Sequence, residues 1–365
     1  MVRVLHVVTQ MGRGGIETML MNLYRNMDRE KIQFDFLVHR EEKGDYDDEI
    51  KALGGNIYYV PAINPFHHRK YLNALDTFFL KHRYNIVHSH INTLSMYVLR
   101  AAKKANVNCR IAHSHTDRIE INKGFFIKIY CKKKLENYLT HRFACGEKAG
   151  KWLFNKNDFT ILNNAIDLYK FRFDKENNLL YRNQLELGNS FVLGHIGNYS
   201  KTKNHSFLID IFTEIVKKNE NSKLVLIGRK DKREKAIEKK VNGLGLSSKV
   251  LFLGIRKDVQ EILSCMDVFV FPSIYEGLPV TLIEAQANGI HIVASDSITE
   301  KVKVTELVQF ISLKKDATYW ADNILKYKDG YKRVFYLSEL QTAGYDASKT
   351  AKWLENFYIE KKDGN

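Results

Sequence analysis

The segment Asp267-Val-Phe-Val-Phe-Pro-Ser-Ile-Tyr-Glu-Gly-Leu-Pro-Val-Thr-Leu-Ile-Glu-Ala-Gln-Ala-Asn-Gly289 holds a strand, a turn and a helix in one short stretch. Val268 to Phe271 is an unbroken apolar run of strand length, as expected of a strand buried on both faces. Pro272-Ser273 ends it and Glu276-Gly277 makes the turn. Pro279 falls where a helix takes its first residue, the one place where a missing N–H costs nothing. Gly289 closes that helix. In an open α/β sheet, ligands collect beyond the C-terminal strand ends. A helix start there offers free N–H groups and a partial positive charge to a phosphate. Gly277 lets the backbone come close, and Glu276 and Glu284 are far enough apart along the helix to address different parts of one ligand. A carboxylate suits a ribose diol because it accepts two hydrogen bonds.

Working outward, short apolar runs alternate with helical patterns along the whole chain, the signature of βαβ units and mostly parallel sheets. Strands are expected at Val2 to Val8, Phe34 to Val38, Ile57 to Val60, Ile86 to His88, Arg110 to His113 and His141 to Cys145. Helices are expected at Glu17 to Asn26, Asp47 to Leu53 and Lys70 to His82. Met11-Gly-Arg-Gly-Gly15 is a turn. The pattern restarts at Phe191 to Gly197 and continues through Leu224 to Ile227, Val250 to Leu253, Val268 to Phe271 and His291 to Ala294. Two doubly wound, Rossmann-like domains follow, residues 1–168 and 169–345, with a C-terminal helix in 346–365. The polar stretch Phe173 to Asn189 reads as their joint. The last helix, Ala347 to Glu360, carries Trp353, Leu354, Phe357 and Tyr358 on one side and should bury that side, against either domain.

Composition agrees. At 365 residues the chain exceeds the size at which one core keeps growing, and 44% hydrophobic residues supply two cores, which excludes global disorder. No run approaches the ~18 to 20 apolar residues of a membrane-spanning helix, and the opening MVRVLHVVTQ reads as a strand rather than a signal peptide, so a cytoplasmic location is expected. Cys109, Cys131, Cys145 and Cys265 show no metal-site or disulfide spacing and are expected to be reduced. The net charge of +15 is uneven: residues 100–156 hold fourteen Lys/Arg against four Asp/Glu. An anionic partner fits that excess. Lys123-Gly-Phe-Phe-Ile-Lys-Ile-Tyr-Cys-Lys-Lys-Lys134 interleaves bulky apolar residues with lysines, as surface-lying membrane helices do; the bland alternative is a solvated basic helix.

Glu276-Gly-Leu-Pro-Val-Thr-Leu-Ile-Glu284 resembles the EX7E motif of family 4 retaining glycosyltransferases, with the family's apolar strand and Pro-Ser upstream. Ile196-Gly-Asn-Tyr-Ser-Lys-Thr-Lys-Asn-His205 is similar to the family loop whose lysine contacts the donor diphosphate, here Lys203. Asn198 stands where many members have arginine, so neutralising the diphosphate leans on Lys203, the helix start, or a neighbour such as Lys201. Gly14-Gly-Ile-Glu17 resembles the first-domain glycine loop. His115-Thr116 resembles the family's active-site histidine, with His113 its competitor. His88-Ser-His90 looks like the preceding strand end. Two histidines there raise the question of a metal, but no carboxylate or cysteine at ligand spacing accompanies them, which favours hydrogen bonding or packing. Ile161 to Asp167 resembles the interdomain segment, and Gly228 and Gly254 end strands where base and ribose contacts gather in the family. Asp45-Tyr-Asp47 fits a DxD metal signature only superficially, since it lies in a charged run. Gly12-Arg-Gly-Gly lacks the third glycine of the dinucleotide fingerprint, and no GK[ST] follows a glycine loop. Ser295 to Lys301 and Gly14-Gly-Ile-Glu-Thr-Met19 look closest to EpsF-like enzymes of exopolysaccharide and capsule operons.

The resemblance implies a GT-B fold, two Rossmann-like domains facing a cleft, with a last helix able to cross back onto the first. It implies a retaining, metal-independent hexosyl or N-acetylhexosaminyl transfer from a UDP-sugar, needing no cofactor, to a polyprenyl-diphosphate oligosaccharide at the inner face of the membrane. The implied roles are catalytic for His115, Glu276 and Lys203. Donor binding falls to Gly15, Asn198, Lys203, Gly228, Gly254, Gly277, Leu278, Val280 and Glu284, and acceptor binding to Gly14 and His88. Two rivals remain: a nucleotide-sugar epimerase on the same architecture, and an α/β protein using the basic patch for nucleic acid, although no nucleic-acid partner is expected.

Overall fold

A computed structural model describes residues 1–63, 68–118, 124–155, 157–229 and 232–362. Lys123 and Lys156, counted in the basic segment, fall outside those residues. The chain forms two compact units, residues 1–166 with 344–365, and residues 167–343.

The first unit holds seven parallel strands, β1 (Val2–Val7), β2 (Ile32–Val38), β3 (Ile57–Tyr59), β4 (Ile86–Ser89), β5 (Cys109–Ser114), β6 (His141–Ala144) and β7 (Thr160–Ile161), in the order 3-2-1-4-5-6-7. The second holds six, β8 (Phe191–Ile196), β9 (Ser222–Ile227), β10 (Val250–Gly254), β11 (Val268–Phe271), β12 (His291–Ser295) and β13 (Val308–Ile311), in the order 10-9-8-11-12-13. These pairs are also parallel throughout. β11 is buried at every residue and reads as an apolar run, while β2, buried throughout as well, carries Gln33 and Asp35, which are satisfied by Tyr24 and Arg3. Period-2 alternation splits the first sheet's core: Val4, Phe34 and Phe36 pack on one face, Leu5, Val7 and Leu37 on the other. The strands absent from the sequence reading, β7 and β13, are both sheet edges, where half-exposure dilutes the apolar signal.

The C-terminal helix (Ala347–Lys361) belongs to the first unit. Asp346 caps it by accepting from the Ser348 and Lys349 amides. Ala351, Leu354 and Tyr358 enter the core beside Val4, Phe34 and Phe36. Burying Leu354 and Tyr358 completely contributes about 1.5–3 kcal/mol each. Of the four large residues expected to be buried there, Trp353 is instead 45% exposed and stacks on Phe357.

Two expectations need correction. The stretch Phe173 to Asn189 is not a joint, because it contains a helix (Lys175–Gln184) fastened to the second unit. Asn178 donates to the Ser264 carbonyl at 2.6 Å and Arg182 to the Cys265 carbonyl at 2.9 Å. No residue of that helix is buried, so its composition reads as linker. The second correction is that Pro279 is the N-cap, with extended backbone (φ −74°, ψ 101°), and the helix starts at Val280.

Candidate functional site

In the second unit, most of the expected donor residues converge on the C-terminal ends of β8, β9 and β11. The loop after β8 turns through a short 3₁₀ segment (Lys201–Lys203) capped by Ser200, whose side chain accepts from the Lys203 amide. The loop after β11 is tied to it by the Ile274 amide donating to the Thr202 carbonyl at 2.7 Å. This tie sets Lys203 Nζ 3.0 Å from Glu276 Oε1 and 4.4 Å from the Phe271 ring centroid. Lysine and glutamate are both largely covered, at 17% and 19% side-chain exposure, so the pair is held rather than waving in solvent.

The glycines there have identifiable jobs. A Cβ on Gly228 would stand 2.2 Å from the Gly197 carbonyl oxygen, and one on Gly197 would stand 2.9 Å from Lys203 Cε. Gly197 therefore leaves room for the Lys203 stem, and Gly228 lets the β9 end approach the backbone after β8. Gly254 has φ +64° and its carbonyl accepts from the Gly228 amide at 3.0 Å. A Cβ on Gly277 would meet nothing within 4 Å, so it faces open space.

The helix Val280–Ala287 starts without a side-chain cap; the Leu282 amide turns back to the Pro279 carbonyl at 3.0 Å, and the Val280 and Thr281 amides have no partner among the described residues, leaving them for a ligand. Leu278 and Val280 flank that start, half-buried, and Thr281 Oγ1 and Ser273 Oγ are buried without a hydrogen-bond partner among the described residues. Glu284 is half-buried on the same helix, and loss of solvent around its carboxyl pushes it up to about 7. Asn198 uses its side-chain oxygen to accept from the Arg229 amide at 3.1 Å, which joins the β8 and β9 loops. Arg229, exposed at that joint, is a cation that motif reading missed, because it lies on a different strand end from Asn198.

In the first unit, Gly14 caps the helix Gly15–Arg25 without a side chain, and a Cβ on Gly15 would meet nothing within 4 Å. A Cβ on Gly14 would stand 2.2 Å from Glu17 Oε2. The Asp45 and Asp47 carboxylates accept from the Arg13 and Gly44 amides at 3.1 and 2.9 Å, so the DxD pattern is two turn caps.

The histidines form one cluster. His6 Nδ1 lies 3.0 Å from His90 Nε2, and His90 Nδ1 lies 3.0 Å from His115 Nε2. His88 Nε2 lies 3.1 Å from His113 Nδ1, and His88 Nδ1 lies 2.7 Å from the Tyr358 hydroxyl. His88 is fully buried with both ring nitrogens engaged, so it is withdrawn as an acceptor contact; it supports the cluster from behind. His113 is also fully buried, while His115 is half-exposed. Of the two competitors, His115 is the one with ring surface left exposed, although its Nδ1 is buried and its Nε2 faces His90. Burial pulls the His6 and His115 imidazoles down to about 3, and lowers His88, His90 and His113 well below their ordinary value. All five are neutral at neutral pH.

Residues 13–167 match the family model for Glycosyltransferase Family 4, and residues 190–328 the model for Glycosyl transferases group 1. The chain is 37% identical to the "Putative glycosyltransferase EpsF" of Bacillus subtilis (strain 168), covering all of this chain and 98% of that protein. The chain belongs to glycosyltransferase family 4. This family 4 protein is also 28% identical, over 99% of both chains, to the capsular polysaccharide biosynthesis glycosyltransferase CapH of Staphylococcus aureus. It is 27% identical to the UDP-Gal:alpha-D-GlcNAc-diphosphoundecaprenol alpha-1,3-galactosyltransferase of Escherichia coli, over 81% of this chain and 79% of that one. Among solved structures, Anabaena Alr3699/HepE in complex with UDP and glucose superposes with a TM-score of 0.75 at 16% identity, covering both chains completely. The likeness establishes the GT-B fold, with its two Rossmann-like domains.

Proposed function

We propose that this family 4 enzyme transfers a hexosyl or N-acetylhexosaminyl unit, with retention, from a UDP-sugar to a polyprenyl-diphosphate oligosaccharide in capsule or exopolysaccharide synthesis. The observation that carries the reading is the Lys203–Glu276 pair fixed at the uncapped start of the helix Val280–Ala287. As the glycosidic bond breaks, positive charge grows on the sugar ring and negative charge on the departing diphosphate. Lys203 and the free N–H groups stabilise the departing charge, the work a bound metal does in other enzymes, so catalysis proceeds without one. Glu276 orients the sugar hydroxyls, Glu284 holds the ribose, and His115, a neutral imidazole, contacts the transferred sugar. UDP is supported by the relative from Escherichia coli and by HepE, whose names carry UDP-Gal and UDP; the lipid-linked acceptor is supported by the former and the capsule by CapH.

The acceptor's diphosphate lipid calls for a membrane-facing surface, and the helix Phe125–Lys134 supplies one. Phe126 and Tyr130 are 83% and 53% exposed, one turn apart, with exposed Lys133 and Lys134 continuing the stripe. Lys132 is engaged elsewhere, its Nζ 4.9 Å from the Trp152 ring centroid. Among the described residues no helix is long and apolar enough to cross a membrane, so attachment is peripheral in this proposal. Reversing the charge of Lys133 and Lys134 should weaken binding to phosphatidylglycerol vesicles, and unchanged binding would remove this part of the reading.

The decisive experiment is a melting-temperature screen against UDP-, GDP- and ADP-sugars, followed by incubation of the stabilising donor with and without a polyprenyl-diphosphate sugar. Stabilisation by UDP-sugars and product only with acceptor are expected. Donor turnover without acceptor would instead identify an epimerase, and no response to any nucleotide would end the reading.

A further inference from the structure

Five imidazoles meet at the C-terminal ends of β1, β4 and β5, brought together by strand register. His6 is paired with His88 across β1 and β4, and His88 with Ile111 across β4 and β5, which sets the two His-x-His pairs side by side on adjacent parallel strands. Alternation puts both histidines of each pair on one sheet face. In the sequence alone, His88 and His90 have no carboxylate or cysteine at ligand spacing. The further ligands come from β5 and its end.

We propose that His90, His113 and His115 form a binding site for a zinc-class transition-metal ion, with a solvent molecule or an anion as fourth ligand. One ring nitrogen from each of the three lies within 4.8 Å of the others. Tetrahedral coordination at ~2.0–2.1 Å places ligand nitrogens roughly 3.4 Å apart. The His90–His115 contact at 3.0 Å then opens by a few tenths of an ångström and His113 closes in. His113 Nε2 is buried and has no hydrogen-bond partner among the described residues, so a metal would satisfy an atom that now has nothing.

The rear of the site is already built. His90 turns its other nitrogen to His6, and His113 turns its other nitrogen to His88, which is held in turn by the Tyr358 hydroxyl. Metal-ligating histidines are oriented this way, with the second nitrogen pinned so that tautomer and ring angle are fixed. A second trio, His6, His88 and His90, is equally close. It lacks an open side, since all three are buried, and His88 spends both ring nitrogens on His113 and the Tyr358 hydroxyl. His115, by contrast, is half-exposed, and His90 borders a cavity of about 400 Å³ that Asn92, Thr116, Arg118 and Lys128 also line. That cavity reaches the site from the His90 side, its lining including Thr116 but neither His113 nor His115, and Lys128 there favours an anion in the fourth position. An all-imidazole set selects zinc, cobalt, nickel or copper over magnesium or calcium.

If His115 contacts the transferred sugar, as proposed above, a metal there occupies its ring and stops transfer, which makes the site inhibitory. That consequence rests on the functional reading; the site itself does not. The test uses the full chain, freed of metal by chelator, titrated with cobalt and read by visible absorption, with X-ray absorption on the zinc-loaded protein. One equivalent should bind with the ligand-field bands of a tetrahedral ion, and the zinc spectrum should show three imidazole nitrogens at about 2.0–2.1 Å. His90→Asn and His113→Asn should each weaken binding at least tenfold, while His141→Asn, on β6 outside the cluster, should retain it. No stoichiometric binding by the unaltered protein, or binding that survives both substitutions, overturns the site. Because the unaltered protein is measured first, a variant that fails to fold leaves the test intact. Stoichiometric zinc that binds as described yet leaves transfer unchanged would instead refute the role given to His115.

Discussion

The two sheets share one strand order, yet equivalent positions bury different chemistry. His6 and His195 are both the fifth residue of a six-residue central strand, β1 and β8, and both are fully buried. His195 bonds through Nδ1 to the Val270 backbone carbonyl at 2.9 Å, stacks on Phe271 and meets the His205 ring edge-on, while its Nε2 is buried without a hydrogen-bond partner among the described residues. His6 bonds instead to another imidazole, His90, and so begins a chain that ends at the half-exposed His115. One scaffold thus supports a neutral imidazole cluster at the first unit's strand ends, and a lysine–glutamate pair beside an uncapped helix at the second's. The fold fixes where a site can be; the strand-end residues decide which charges it can meet.

Acid should separate the two units most sharply. The cluster histidines have folded pKa values below the unfolded value near 6.5, so they stay neutral in the fold while the unfolded chain takes up protons. Their stabilising contribution is present above about pH 6.5 and is lost as pH falls from there toward the folded values, about 3 for His6. Each such group costs ~1.4 kcal/mol per pH unit. His6, His88, His90 and His113 are all 0–2% exposed, so this loss falls on the strands that carry them and their neighbours, β1, β4 and β5. In the second unit His195 is lowered well below its ordinary value, with His291 on β12 lowered as well by partial burial. Hydrogen exchange at pH 7.5 and 5.5 should show β1, β4 and β5 losing protection while β8, β11 and β12 keep theirs. Equal loss in both would break the comparison.

Removing the ion pair should give the next largest effect, and on one unit's function only. Lys203→Ala is expected to lower kcat on the order of 100-fold, the usual cost of deleting one charge-stabilising donor, and to abolish the melting shift with UDP. His115→Ala should also lower kcat but leave the UDP shift intact, because UDP is assigned to the second unit. If His115→Ala removed the UDP shift as well, the division of labour would be wrong.

Much of this was legible in the sequence, for reasons particular residues make clear. Both sheets could be read because parallel strands such as β2 and β11 are buried throughout and largely apolar. The edges β7 and β13 were missed because half-exposed strands lose that signature, and the helix Lys175–Gln184 was taken for a joint because it buries nothing. The second-unit site was visible because Glu276 and Glu284 sit on one continuous turn and helix. The histidine cluster was not, because its members arrive from three strands, and only their register brings His6, His90 and His113 together. Likewise Arg229 meets Asn198 across two loops.

Glu284 offers a graded test of the second unit. Its carboxyl, pushed up to about 7 by burial, is mostly protonated below that pH in the free enzyme. Ribose hydroxyls donate to the carboxylate, so UDP should bind the ionised form better. Affinity should then rise with pH up to about 7 and level off above it, falling by at most tenfold per unit below. Isothermal titration of UDP between pH 5.5 and 8.5 would show this slope, and Glu284→Gln should flatten it. A slope that persists in the glutamine variant must come from another group.

The smallest expected effect concerns the arginine that Asn198 replaces. Asn198 holds the Arg229 amide, so the exposed Arg229 guanidinium starts from the same loop junction at which a residue-198 arginine would start. If Arg229 has taken over part of the diphosphate's neutralisation, Arg229→Ala should weaken UDP binding about three- to tenfold, in the range of one charge-assisted hydrogen bond to a partly solvated anion. Asn198→Arg should recover that loss in the Arg229→Ala background and add little in the unaltered enzyme. Additive gains in both backgrounds would mean that the two positions act independently, leaving Lys203 and the helix start to bind the diphosphate without Arg229.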